Sequence, residues 1–140
     1  MAIPNTSETA AKIARGEPFS FSFHYLSEDM VRYINALFAK ILASMDRIFL
    51  LDTFITIIRE ICINAVKANA KRVYFRTIGI NIDDHERYAE GIEQFKKNVI
   101  GHFESMEAEL KKSDYRVSFG IKKDANGLMI QVLNNSVIQP

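Results

Sequence analysis

Glu60-Ile61-Cys62-Ile63-Asn64-Ala65-Val66-Lys67-Ala68 is the stretch on which the fold turns. It lies inside a segment, about Arg47 to Lys71, that is apolar on nearly every side of a helix. One stripe breaks the rule. Thr53, Thr56, Glu60, Asn64, Lys67 and Lys71 follow one another at steps of three or four, so they stack on one helical face. Glu60 and Asn64 stand one turn apart. A carboxylate beside a carboxamide offers two oxygens to a hard cation such as Mg²⁺, which keeps several waters of its own. The carboxylate can also orient or deprotonate a water. A solvated stripe would favour lysine and glutamate. The threonines and the asparagine point to a stripe that faces a narrow cleft.

Working outward, Phe19-Ser20-Phe21-Ser22-Phe23-His24-Tyr25 places an aromatic at every second position. That alternation predicts a half-buried strand. Ser27 caps a helix with Glu28 and Asp29 in its first turn. Val31, Ile34, Phe38, Ile41, Leu42 and Met45 give it an apolar face to about Ser44. Asp46 is the expected cap of the following polar-striped helix. Residues 1–16 read as a flexible lead with at most a short helix. For 72–82, Val73-Tyr74-Phe75 and the alternating Ile78, Ile80 and Ile82 favour a strand, with helix continuation through Phe75 the alternative.

Asp83 and Glu86 have capping-box spacing, which predicts a long helix from there to about Lys112. Tyr88, Ile92, Phe95, Val99, Phe103, Met106 and Leu110 form its apolar stripe. Gly91 and Gly101 weaken it by about 1 kcal/mol each relative to alanine. Then Tyr115, Val117, Phe119 and Ile121 alternate with polar residues, Asn126-Gly127 marks a hairpin turn, and Leu128 to Leu133 returns. Strand, helices and terminal hairpin predict an α+β, two-layer sandwich: helices on one face of a mainly antiparallel sheet, incomplete at its C-terminal end.

Glu-x-x-x-Asn-Ala-x-x-Ala resembles the N-box of the gyrase, heat-shock chaperone, histidine kinase and mismatch-repair ATPase superfamily, the GHKL or Bergerat-fold ATPases. The element order over 19–75 and 115–138 is also similar to that family. The resemblance implies that 17–140 is the N-terminal portion of a histidine-kinase-like ATP-binding domain with a helical insertion at about 83–112. It implies Asn64 as the ligand of a Mg²⁺ bridging the ATP phosphates. Glu60 would be the catalytic acid–base group, and Lys67 and Ala68 would end the motif beside the nucleotide. Val132-Leu133-Asn134-Asn135-Ser136 resembles the family's Val-x-Asp-x-Gly motif, with Asn134 where an aspartate accepts from the adenine amino group. An asparagine oxygen can accept that bond. Ser136 stands at the glycine position.

The implied cofactors are ATP and Mg²⁺, and the implied setting is signal transduction, with phosphoryl transfer or ATP hydrolysis in the intact protein. The family's glycine-rich phosphate-binding lid would follow Pro140, so the chain alone is expected to be inactive. The implied partners are a nucleotide, a second copy in a homodimer, and a response-regulator-like or other signalling protein. A rival expectation is a non-catalytic self-association or partner-docking module on the same fold. For 83–112 an extra packing layer and a docking helix weigh equally. A small-molecule sensor domain is a third reading.

Composition narrows the classes. The chain has 140 residues, enough to bury roughly two-thirds of its unfolded surface without a disulfide or metal. With 18 basic and 17 acidic residues the net charge is +1, which points to no nucleic acid and no anionic membrane. The lone cysteine, Cys62, excludes an intrachain disulfide and reads as a small buried hydrophobe. The polar N-terminus lacks the apolar core of a signal peptide. The most apolar segment, Ile48 to Val66, contains Asp52, Arg59, Glu60 and Asn64, too polar to face lipid. The expected compartment is the cytoplasm. His24, His85 and His102 read as surface residues, with no phosphoacceptor motif around them.

Overall fold

In a computed structural model the chain is described over residues 5–79, 85–98 and 106–135. The elements run α1 (Thr6–Ala14), β1 (Phe19–Phe23), α2 (Glu28–Ser44), a 3-10 turn (Ile48–Leu50), α3 (Leu51–Ile78), α4 (His85–Asn98), α5 (Glu107–Lys112), β2 (Val117–Asp124) and β3 (Gly127–Asn134). The α+β class is as expected. The sheet is antiparallel in the order β1-β2-β3, with Phe21 opposite Phe119 and Phe119 opposite Val132.

The aromatic alternation of β1 has a clear purpose. Phe21 stacks on Phe119 of β2 at 5.2 Å and meets Tyr33 of α2 edge-on at 5.8 Å. The other face carries serines, and Ser22 Oγ lies 3.3 Å from Ser118 Oγ. Helix α2 starts where Ser27 Oγ accepts from the Met30 N–H at 3.2 Å. It buries Met30, Tyr33, Ile34, Leu37, Phe38, Ile41 and Leu42. Together with Ile58, Cys62 and Val66 of α3 and Val117, Phe119 and Ile121 of β2, these residues form the core. At the hairpin, Asp124 Oδ1 accepts from Asn126 N–H at 2.8 Å and Gly127 N–H at 3.1 Å. That side chain closes the turn the Asn-Gly pair announced.

Four expectations are corrected. The short helix allowed for in the lead forms as α1, but the lead is not loose: Asn5 Oδ1 accepts from Ser7 and Glu8 N–H, capping α1, and Ile13 is wholly buried in the core. Asp46 does not cap α3. It adopts φ 57° just past α2, where its N–H bonds the Ala43 carbonyl at 3.1 Å and Arg47 N–H bonds Leu42 at 2.8 Å. Asp46 therefore closes α2, a left-handed role that asparagine and aspartate tolerate best after glycine. Third, no strand forms at 72–78. Helix α3 runs on to Ile78 and ends at Gly79 in the left-handed region, φ 75°. Its Val73 and Phe75 are buried, so tertiary packing outweighs their β preference. Residues 80–82 lie outside the described residues.

The fourth correction concerns His24. Its Nδ1 lies 2.7 Å from the Tyr115 carbonyl and the residue is half-buried, so it ties the end of β1 to the approach to β2. The helical expectation for 83–112 is met at both ends by α4 and α5. Asp83, residues 99–105 including His102, and the side chains of His85 and Glu86 lie outside the described residues.

Helix α4 packs on the C-terminal part of α3. Phe75 meets Tyr88 at 5.7 Å and Tyr74 meets Phe95 at 5.8 Å. Lys71 Nζ donates to Tyr88 Oη at 3.1 Å and lies 5.5 Å from its ring centre. The packing-layer reading of this segment matches these contacts.

Candidate functional site

Helix α3 positions the candidate residues. Its core side carries Ile58, Cys62, Val66, Asn69 and Val73. Glu60, Asn64 and Lys67 stand on the far side, as their spacing requires. Glu60 and Asn64 are both exposed, while Lys67 and Ala68 are half-buried. The polar stripe therefore looks to solvent, not into a cleft. Two members have local duties: Thr56 Oγ1 donates to the Asp52 carbonyl at 2.9 Å, and Lys71 anchors Tyr88.

The cleft lies beside the stripe. A cavity of about 360 Å³ opens between α3 and β3, lined by Thr53, Phe54, Ile57, Ile58, Ile61, Leu128, Ile130 and Val132. Ile57 is 51% and Ile61 45% exposed, high values for isoleucine in a packed helix. Phe54 and Leu128 also meet around a second cavity at the hairpin end. At the other end Arg76 Nη2 donates to Tyr115 Oη at 2.7 Å. Strand β3 thus runs alongside α3 in the same sense. Two strand residues advance about as far as four helical ones. Asn134 lies two residues beyond Val132, the last β3 residue that lines the cavity.

Asn134 is half-buried at the end of β3 and pairs with Val117. Its neighbour has the structural task. Asn135 Oδ1 accepts from Arg116 N–H at 2.6 Å, and its Nδ2 donates to the Asp114 carbonyl at 2.7 Å. Ser136 lies outside the described residues. Glu60, Asn64 and Lys67 thus share one helix face, and Asn134 ends the strand that lines the neighbouring cavity.

Among the described residues no three acidic, histidine or cysteine side chains converge as a metal site. Glu60 and Asn64 could supply only part of a coordination shell. That fits Mg²⁺, which takes its remaining ligands from phosphate and water.

Sequence reasoning missed Asn69. It is fully buried, and neither its Oδ1 nor its Nδ2 has a hydrogen-bond partner among the described residues. Such a group costs about 1–3 kcal/mol. Its signal was present, since it continues the buried spacing of Cys62 and Val66.

Cys62 is fully buried, and burial pushes its thiol up to about 11. The neutral thiol is the form the fold favours. Its contribution to stability is intact below the ordinary value of 9.0 and is lost as pH rises from there toward about 11. Each pH unit in that window removes up to about 1.4 kcal/mol. Urea melts at pH 8 and pH 10 should show a larger loss for the wild type than for Cys62→Ala. Equal losses in the two proteins would refute this assignment.

No described helix is long and apolar enough to cross a membrane. No family model matches the chain, and no solved structure matches it. The chain is similar, at 28% identity over 123 residues, to a protein of Treponema pallidum (strain Nichols) described only as uncharacterized. The similarity covers 88% of this chain and 24% of that protein, so the chain spans about a quarter of its relative's length.

Proposed function

We propose that this chain is the N-terminal part of a histidine-kinase-like ATP–Mg²⁺-binding domain of a signalling protein. The single observation that carries the proposal is the shared outward face of Glu60, Asn64 and Lys67 beside the α3–β3 cavity, with Asn134 two residues beyond Val132 of its lining. The layout is also in keeping: two helices, α2 and α3, cover one face of an antiparallel sheet whose last described strand leads to Asn134.

In this reading Asn64 holds the metal through its carboxamide oxygen. Glu60 orients a water or accepts its proton. Lys67 places positive charge near the phosphates, and Asn134 accepts from the base. Mg²⁺ would supply charge neutralisation for the phosphates when bound. Exposure of the stripe means that water is excluded only when further polypeptide covers it. Phosphoryl transfer or hydrolysis accordingly belongs to the intact protein.

The experiment is an amide NMR titration of the 140-residue chain with Mg²⁺ and a non-hydrolysable ATP analogue. The expected shifts are at Glu60–Ala68 and Asn134, with Asn64→Ala weakening binding tenfold or more. Titrations that are identical for wild type and Asn64→Ala, or indifferent to Mg²⁺, would end the proposal.

A further inference from the structure

Strand β3 reads Gly127-Leu128-Met129-Ile130-Gln131-Val132-Leu133-Asn134 and contains neither a charged residue nor a proline. Among the described residues nothing pairs with its outer side. Edge strands of native proteins are ordinarily guarded by charge, proline, a bulge or a covering element. This one is eight residues long and, among the described residues, has none of these guards.

The direction of its free backbone groups follows from one bond. Asn135 N–H donates to the Arg116 carbonyl at 3.2 Å, continuing the register in which Leu133 faces Ser118 and Gln131 faces Gly120. In an antiparallel ladder, residues that exchange bonds with one neighbour alternate with residues that point away. Odd-numbered positions of β3 are therefore bonded to β2. Leu128, Ile130, Val132 and Asn134 turn their N–H and C=O groups to the open edge.

We infer that this edge pairs with the same edge of a second copy of the chain, antiparallel, about a two-fold axis through Gln131. A register centred on a residue, not between two, sets outward-facing residues opposite one another, and Gln131 is the midpoint at which all four of them are paired. The centre at Gln131 places Ile130 opposite Val132, and Leu128 opposite Asn134. It also accounts for the exposed outer face. Met129 is 63% and Leu133 53% exposed. They flank Gln131 symmetrically, so each meets the other across the axis. On the inner face the second copy covers the cavity beside Ile57 and Ile61. The side chains of Glu60, Asn64 and Lys67 play no part, and Asn134 takes part through its backbone; association is read by mass and nucleotide binding by Mg²⁺-dependent shifts, so the two readings are tested separately.

Sedimentation of the chain from about 1 to 100 µM tests it. The wild type is expected to run at twice the monomer mass. Gln131 is exposed and directly opposite itself across the axis, so Gln131→Lys and Gln131→Glu each set like charges face to face. Each variant alone should associate at least tenfold more weakly while keeping the wild-type circular dichroism. An equimolar mixture of the two should restore the dimer. A wild type that stays monomeric, single variants that dimerise normally, or a mixture that stays monomeric would each overturn the inference.

Discussion

Replacing Phe119 by alanine should cost about 3–5 kcal/mol, the largest single-residue loss expected in this protein. The side chain is fully buried on the central strand. It stacks on Phe21 at 5.2 Å and stands edge-on to Phe38 at 6.0 Å, joining β1, β2 and α2 at one point. Strand β2 is held by hydrogen bonds on both sides, so the backbone cannot collapse into the gap. A domain of this size has about 5–15 kcal/mol in total. Urea denaturation should show a much lower midpoint with an unchanged slope. Phe49→Ala is the control. Phe49 is 74% exposed, and its loss should stay within about 0.5 kcal/mol. A Phe119 cost below that of Phe49 would mean the core is misplaced.

The second large effect is expected at Gly91→Leu. In an exposed helix the change would stabilise by about 1 kcal/mol. Here a Cβ would lie 2.6 Å from Phe75 Cζ and 2.9 Å from Phe75 Cε2, and Phe75 is itself buried with little room to turn. Helix α4 must back away from α3, giving up the Phe75–Tyr88 and Tyr74–Phe95 contacts and the Lys71–Tyr88 bond. Overpacking of this kind costs about 1–3 kcal/mol. Hydrogen exchange should show lost protection across 85–98 while β2 and β3 keep theirs. A stabilised variant with α4 fully protected would show that α4 does not close on α3 here. The outcome bears on function, because a helix seated by a glycine notch is part of this domain's own packing.

Much of the fold was legible because its signals are local. Period-two aromatics marked β1, helical spacing and Ser27 marked α2, and Asn126-Gly127 marked the hairpin. The misreadings share one cause. Val73 and Phe75 carry β preference, but α3 continues because α4 and the core cover them. Asp46 has a good capping side chain, yet the chain reverses there and the residue closes α2. Residues 6–14 read as part of a flexible lead because Ala10 and Ile13 are too few to form a visible apolar face, though both are buried.

The candidate site divides in the same way. Glu60, Asn64 and Lys67 share a face because a helix has 3.6 residues per turn, and no neighbour can alter that. Which face turns to the core is a collective result of packing α2, α3 and the sheet. That result sends the polar stripe to solvent and leaves Ile57 and Ile61 at a cavity. The open edge of β3 is likewise a product of sheet order and bonding parity. The sequence by itself determined which residues lie together along each element. Only the tertiary structure decided what each face meets, since burial depends on contacts between segments far apart in the chain.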